Sequence, residues 1–291
     1  MMKLSALVGE ELALPVDARV SAMAAAIAAK HPTARTVLFY GSCLRETRLD
    51  GLMLDFYLIV GDYGQAFGKA WLATANRVLP PNVFPFEHQG LIAKYAVLTE
   101  ADFHRLNGPE ADNVSVWARF AQPSRLVWAV DDDARDTAIA AIARATPTLF
   151  ALTLPLLPAD TDLLDIWRQG FAHTYRAELR AERASRPGSV VDADPDRYRR
   201  FGAAAGPAAQ VTLSAGNAER RWRQLTRRGK ALTLARLAKA TFTYADGIDY
   251  LAWKIGRHSG HRIEIRPWQR RHPIVGALTL LPRLLARGAI R

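Results

Sequence analysis

The sequence predicts an α/β protein: a domain with a mixed β-sheet, followed by a mainly helical domain. Two short apolar runs within residues 37–60 flank a loop that contains glycine, as neighbouring strands do. Helical periodicity occurs on either side of them, at about 18–30 and 65–78. After Pro155 and Pro158 the strand signals fade and helical patterns take over. Strands alternating with helices, and then helices alone, indicate this class.

The remaining elements are predicted from the same signals. Strands are expected at 91–98 and near 125–130, and the Asp-rich segment that follows predicts an N-capped helix. Helical patterns of the second part lie at 161–184, 215–240 and 241–257. Segments rich in Pro, Gly, Asp and Ala predict loops at 185–196 and 202–210. The predicted regions are 1–155 (α/β), 156–260 (mainly helical) and 261–291 (a basic amphipathic tail).

Composition limits the class of protein. The chain has 291 residues, 49% of them apolar, but no apolar run approaches the 18 residues of a membrane span, so we expect a soluble or peripheral protein. The N-terminus has the features of a poor signal peptide. Cys43 is the single cysteine, which excludes an internal disulfide and favours a reducing cytosolic compartment.

Positive charge is concentrated toward the C-terminus. The formal net charge is +11, with much of the excess after residue 219. A polyanionic partner is therefore expected, and both nucleic acid and an anionic lipid surface present closely spaced phosphates. A plain solvated helix face is the alternative for 219–230.

The segment between the first two predicted strands has the features of a phosphate and metal site. Gly41 would let the backbone approach a triphosphate, Ser42 adds a hydroxyl, and Asp55 would hold a divalent metal. Polymerase-β-type nucleotidyltransferases follow a Gly-Ser loop with an Asp-x-Asp pair, but Met53 stands at the first of these positions. Asp50 is a candidate replacement. The alternative is an ordinary turn and a strand-end carboxylate.

Three cations complete the candidate site. Lys94 lies in the middle of an apolar strand, where a buried ammonium needs a partner or a ligand, and an edge-strand lysine that reaches solvent is the alternative. Arg119 and Arg125 flank a Gln-Pro turn and are candidates for holding phosphate oxygens, with surface salt bridges as the alternative.

Several motifs occur in one order along residues 35–201. They are YGSCLRE at 40–46, MLDFYLIV at 53–60, NVFPF at 82–86, LIAKYAVL at 91–98, ARFAQPSRLV at 118–127 and TYRAELRAE at 174–182. Together they resemble the mitochondrial-type CDP-diacylglycerol synthases, the translocator assembly and maintenance protein family of phosphatidate cytidylyltransferases. Cys43 and Ala96 stand where that family has glycine, Ser124 also departs from its pattern, and the short loop before Asp55 favours a bacterial member.

The resemblance implies a polymerase-β-like fold and transfer of CMP from CTP to phosphatidate with Mg²⁺, giving CDP-diacylglycerol and pyrophosphate. It implies catalytic roles for Asp55 and Lys94, with Asp55 and Asp50 as metal ligands. The implied nucleotide-binding residues are Tyr40, Gly41, Ser42, Arg119 and Arg125, and the implied substrate-cleft residues are Tyr175, Glu178 and Arg180.

The C-terminal tail predicts attachment to a membrane surface. Its apolar residues alternate with arginines that would attract anionic lipid, namely Arg266, Arg270, Arg271, Arg283 and Arg287. Packing of this segment on the protein's own core is the alternative. The expected location is the cytoplasmic inner face of the membrane, or the mitochondrial matrix face in a eukaryote.

Two other functions remain open from the sequence. A nucleotidyltransferase that acts on RNA or a soluble acceptor would also need the site and the basic surface, although it would not need a lipid-seeking tail, so nucleic acid is the less favoured partner. An inactive nucleotidyltransferase-like binding module is the second alternative, because one metal ligand is absent.

Overall fold

A computed structural model describes residues 3–45, 49–178, 190–206 and 213–243. Its centre is a five-stranded mixed sheet with the strand order β3-β4-β2-β1-β5. The strands are β1 Ala34–Tyr40, β2 Met53–Val60, β3 Asn82–His88, β4 Leu91–Thr99 and β5 Ser124–Ala129. β2 and β4 are parallel, and the other neighbours are antiparallel. The predicted α/β class with a mixed sheet is confirmed.

Helices surround the sheet and form the second part of the chain. In the first part they are α1 Leu4–Leu12, α2 Ala18–Ala28, α3 Tyr63–Ala66, α4 Ala70–Val78, α5 Glu100–Asn107, α6 Trp117–Phe120, α7 Asp132–Ile142 and α8 Ala145–Thr153. In the second part they are α9 Leu163–Ala177, α10 Pro195–Ala205 and α11 Ala215–Thr243. The Asp131 carboxylate accepts from the Ala134 amide and caps α7, as the Asp-rich start predicts.

Loops are predicted at 185–196 and 202–210, but residues 195–196 and 202–205 belong to helix α10. The loop predictions are wrong at these residues. Asp194 accepts from the Arg197 amide at 3.1 Å, and Pro195 occupies the first helical turn. These are signals for the start of a helix rather than for a loop. The helix predicted at 65–78 is also divided, because the backbone is extended at Phe67 and Lys69, between α3 and α4. The tail at 261–291 lies outside the described residues.

The two faces of the sheet bury different cores. One face carries Val37, Phe39 and Phe56 and packs against α2. The other carries Leu38, Tyr57 and Leu98 and packs against helices from both parts of the chain. Successive strand residues alternate between these faces, which fixes the side on which each polar residue of β1, β2 and β4 lies.

One hydrophobic cluster crosses the predicted domain boundary near residue 155. It contains Tyr57 of β2 and Phe120 of α6 together with Trp167 of α9, Tyr198 of α10 and Trp222 of α11. The regular elements described after residue 156 are helices, and no strand is described there. The boundary itself stays a prediction.

One segment, Asp132–Leu156, is long and apolar enough by length and composition to span a membrane, and the sequence analysis did not anticipate it. It consists of α7, α8 and a short 3₁₀ turn. Half of its most apolar window is buried within the protein, where Ala141, Ile142 and Leu149 belong to the core. This is the pattern of core helices.

Candidate functional site

Strand register brings three predicted residues together. Tyr40 at the end of β1 pairs with Asp55 of β2, and Asp55 pairs with Lys94 of β4. Residues in register on neighbouring strands point to the same face of a sheet. Tyr40, Asp55 and Lys94 therefore form a row on the face that carries Tyr57.

Asp55 and Lys94 form the centre of the site. The Lys94 Nζ atom lies 2.9 Å from Asp55 Oδ1, and their side chains are 27% and 24% exposed. Solvent and a ligand can therefore reach both groups. The sequence predicts that Lys94 needs a partner, and the structure supplies a carboxylate as that partner.

Gly41 adjoins the other oxygen of this carboxylate. Its φ is +97°, and a Cβ built there would lie 3.5 Å from Asp55 Oδ2. Glycine is suited to this left-handed conformation. The following Ser42 is exposed and begins a 3₁₀ turn, Ser42–Arg45.

Two tyrosines line the site beside Asp55. The rings of Tyr40 and Tyr57 lie 5.2 Å apart. Burial, with a smaller contribution from the Asp55 charge, raises the pKa of Tyr40 well above its ordinary value. Burial also raises the pKa of Tyr57. Both phenols therefore stay neutral near pH 7 and offer polar, uncharged contacts.

Arg119 and Glu178 form an ion pair near these two tyrosines. Arg119 Nη1 lies 3.1 Å from Glu178 Oε1, and the Glu178 side chain is only 8% exposed. The same guanidinium donates to the Ser115 carbonyl. Burial opposes the charge of Arg119, but Glu178 and the two tyrosines raise the pKa of Arg119 well above its ordinary value. Glu178, predicted to line the substrate cleft from the second part, thus holds an arginine predicted to bind nucleotide.

Arg236 of α11 is a site residue that the sequence analysis missed. Its Nε donates to the Pro80 carbonyl at 2.8 Å, and its Nη1 donates to Ser115 Oγ at 3.1 Å. Burial and the nearby Arg119 lower the pKa of Arg236. A signal was available, since Arg236 lies among apolar and small residues of its helix, the same argument that singled out Lys94.

Two predicted residues make their contacts elsewhere. Asp50 is paired with Arg19 at 3.1 Å and is 73% exposed, so the structure does not place it in the Asp55 row. Arg125 is in register with Phe39 rather than with Tyr40, and its side chain lines a cavity of about 410 Å³ between α1 and α10. Asp55 and Lys94 do not line that cavity.

Of the other two predicted substrate-cleft residues, Tyr175 lies within the described part of the chain and Arg180 does not. Tyr175 of α9 is half-buried against the core cluster that contains Tyr57. Arg180 lies outside the described residues, as do the five tail arginines.

The residues present fit a metal held jointly with a ligand. Among the described residues, no group of three or more His, Cys, Asp and Glu side chains is placed to hold a metal ion. Mg²⁺ is commonly bound through one or two carboxylates together with substrate phosphates, not in a cage made only of protein. Asp55, partly exposed at the strand ends, meets that requirement.

Comparisons with known proteins give a limited result. No protein-family model matches the chain. No curated protein matches it either. Among solved structures, a nucleotidyltransferase-like protein from Exiguobacterium sibiricum 255-15 aligns with 93% of this chain and 91% of its own chain, at 13% sequence identity and a TM-score of 0.29. Membership in the phosphatidate cytidylyltransferase family is not shown by these comparisons.

Proposed function

We propose that this protein is a Mg²⁺-dependent nucleotidyltransferase that transfers CMP from CTP to phosphatidate. The products are CDP-diacylglycerol and pyrophosphate. The observation that carries nucleotidyl transfer is the Asp55–Lys94 pair at 2.9 Å, with the Gly41 loop against the second carboxylate oxygen. A carboxylate, a cation and a glycine loop on neighbouring strands combine the groups that a triphosphate and its metal need.

Charge neutralisation is the main task at such a site. Lys94 is placed to stabilise negative charge on phosphate oxygens, and Asp55 holds its ammonium in position before the ligand arrives. A Mg²⁺ ion held by Asp55 and the phosphates would supply further neutralisation and orient the reacting groups. The attacking phosphate monoester is largely ionised near pH 7 because its second pKa is about 6, so no strong general base is required.

The lipid acceptor is supported by the sequence. The ordered motifs at 40–182 resemble phosphatidate cytidylyltransferases, and the net charge of +11 favours an anionic surface. Arg266, Arg270, Arg271, Arg283 and Arg287 are the residues proposed to meet that surface. The protein would then act as a peripheral protein on the inner face of a membrane.

The test is a transfer assay with labelled CTP, Mg²⁺ and phosphatidate in mixed micelles. The wild type should form a lipid-extractable CDP product, and Asp55→Asn and Lys94→Met should each reduce its rate by about 100-fold or more, because each removes a group that stabilises transition-state charge. Lys69→Met is the matched control, since Lys69 is exposed on the helix-capping turn before α4. Its rate should stay within twofold of the wild type.

Parallel acceptors separate the proposal from its alternatives. A short RNA or a soluble phosphate monoester replaces phosphatidate in otherwise identical reactions. Labelled RNA without a lipid product would overturn the lipid assignment and leave nucleotidyl transfer in place. CTP binding without transfer to any acceptor would instead indicate a binding module.

A further inference from the structure

Two guanidinium groups meet at a single residue beside the candidate site. Arg119 donates to the Ser115 carbonyl, and Arg236 donates to the Ser115 hydroxyl at 3.1 Å. Arg119 comes from α6 next to the sheet, whereas Arg236 comes from α11, more than one hundred residues later. Like charges at such close range repel each other and need a nearby anion to offset the repulsion.

The described acids compensate only part of this charge. Glu178 pairs with Arg119, and Asp55 pairs with Lys94. Arg236 has no carboxylate within ion-pair distance in the described part of the chain, where its partners are the Pro80 carbonyl and the Ser115 hydroxyl. A partly buried guanidinium that hydrogen-bonds only neutral acceptors costs free energy, which the Glu178 and Asp112 charges offset through space without a direct ion pair, and a bound anion would reduce that cost further.

Lys239 lies one helical turn further along α11 and adds positive charge to this region when it is protonated. Its Nζ donates to the Leu79 and Pro81 carbonyls, the second at 2.9 Å, and no described carboxylate pairs with it. It lies close enough to Arg236 for the two charges to interact. Arg119, Arg236 and, when it is protonated, Lys239 therefore place positive charge at one end of the site, while Glu178 is the one acid in an ion pair with any of them among the described residues.

We propose that Arg236 and Arg119 form a binding subsite for the phosphate groups of the substrate, next to the Asp55–Lys94 pair. This inference rests on the proposed function and adds to it, because it assigns phosphate recognition to the helix α11 of the second part. The two tyrosines lie between the groups. Tyr40 pairs in register with Asp55 and is close enough to Arg119 to feel its charge, and Arg119, Arg236 and Asp55 all act electrostatically on Tyr57. A planar guanidinium fork suits phosphate oxygens better than an ammonium does.

The experiment measures binding of inorganic tripolyphosphate to the full-length protein by calorimetry, without Mg²⁺ and with a chelator present. Arg236→Gln should weaken binding tenfold or more, the range expected for loss of a charge-assisted hydrogen bond. Arg228→Gln is the matched control, because Arg228 is exposed on the same helix and the change in charge is identical. Its affinity should change less than twofold. Equal affinity of Arg236→Gln and Arg228→Gln would overturn the proposal.

A second measurement covers the case in which Arg236→Gln does not fold. A ligand that binds only the folded state raises the melting temperature, so tripolyphosphate should raise the Tm of the wild type. No rise in the wild type would overturn the subsite without any variant. Arg236→Met, which keeps the apolar stem, should show a smaller rise than Arg228→Gln, and an undiminished rise would also overturn it.

These readouts fail independently of the catalytic proposal. Asp55→Asn should lose nucleotidyl transfer yet keep tripolyphosphate binding in chelator, because the subsite does not need the metal. Binding that depends on Arg236 in a protein without transfer activity would leave the subsite intact and remove the enzyme assignment. Transfer activity in a protein whose tripolyphosphate binding is unchanged by Arg236→Gln would leave the enzyme assignment intact and remove the subsite.

Discussion

At the scale of single residues, Gly41 affects both the backbone conformation of its loop and the space beside the Asp55 carboxylate. Its φ of +97° disfavours any side chain, and a methyl group there would lie against Asp55 Oδ2. Gly41→Ala should therefore destabilise the fold by about 1–2 kcal/mol and also reduce transfer, because the methyl group occupies space beside the carboxylate. Urea denaturation and the CTP assay measure the two effects.

Gly51→Ala provides the comparison for Gly41→Ala. Gly51 also has a positive φ, +76°, but a Cβ there meets no atom within 4 Å. It should lose a similar amount of stability and keep its activity at equal folded concentration. Equal losses of activity in both variants would show that strain alone, not contact with Asp55, accounts for the Gly41 effect.

Lys239 makes stability depend on pH. Burial, followed by the charge of Arg236, lowers its pKa from 10.5 to about 7. Between those values the unfolded chain binds more protons than the folded one, so this lysine makes stability rise with pH above 7; below pH 7 both states are protonated and its contribution is constant. Denaturation from pH 7 to 9 should show a rise of about 1–2 kcal/mol in the wild type relative to Lys239→Met. Parallel curves for the two proteins would contradict this assignment.

The sequence identifies the chemistry of individual residues better than it identifies their partners. Asp55 and Lys94 stand out because each is a lone charge in an apolar run, but only the parallel register of β2 and β4 places their charged atoms 2.9 Å apart. Asp50 is close to Asp55 along the chain and pairs with Arg19 instead. Distance along the sequence does not predict such pairings, because they depend on how strands align.

At the scale of elements, the close approach of α9 and α11 depends on a glycine. A Cβ on Gly229 would lie 2.3 Å from the Ala177 carbonyl oxygen at the end of α9. Gly229→Ala should destabilise the protein by about 1–3 kcal/mol, since backbone must move to admit the methyl group. Equilibrium urea unfolding measures this change.

Gly216→Ala tests whether helix propensity alone would give that result. Gly216 lies near the start of the same helix, and a Cβ there meets nothing within 4 Å. This substitution should stabilise the protein by about 0.5–1 kcal/mol, because alanine loses less backbone entropy than glycine in a helix. If both substitutions stabilised the protein, the close contact with Ala177 would be wrong.

The type of an element was predictable from the sequence where hydrophobic periodicity was strong. The predicted boundaries were wrong where the residues that cap a helix also occur in loops. The strand predicted at 91–98 is present as Leu91–Thr99, and the helix predicted at 215–240 is present as Ala215–Thr243. Residues 185–196 were predicted as a loop because Asp and Pro are abundant, yet Asp194 and Pro195 begin α10. The same residue types serve turns and helix starts, so composition does not separate the two.

At the scale of the whole molecule, an ion pair joins the first helix, α1, to α10 in the second part of the chain. The Arg197 Nε and Nη2 atoms lie 2.5 and 2.9 Å from the Glu11 carboxylate oxygens, and both side chains are about nine-tenths buried. Glu11→Leu leaves the buried Arg197 charge without its carboxylate partner and should cost about 3–5 kcal/mol. Adding Arg197→Met to Glu11→Leu should restore most of that loss, as a chemical-denaturation double-mutant cycle would show. Strictly additive losses would mean that the two residues do not interact.

Division into domains was the least predictable property, because it depends on contacts between distant segments. The change from strands to helices near residue 155 is visible in the sequence. The core that joins Tyr57 to Trp167, Tyr198 and Trp222 is not visible there, since each of those aromatic residues fits equally well into a separate helical core.

This shared core has a consequence for synthesis on the ribosome. The N-terminal sheet emerges first, but the cluster on one of its faces also includes Trp167 of α9 and Trp222 of α11, which are translated more than a hundred residues after β2. Until then, a nascent chain exposes Trp117 and Phe150, whose rings contact Trp222 and Trp167 in the folded protein, and exposed apolar surface of this kind favours chaperone binding or aggregation. Glu178 and Arg236 also arrive late, so a prematurely terminated chain would carry Asp55 and Lys94 without the rest of the site. Acquisition of function is thereby delayed until nearly the whole described chain has left the exit tunnel.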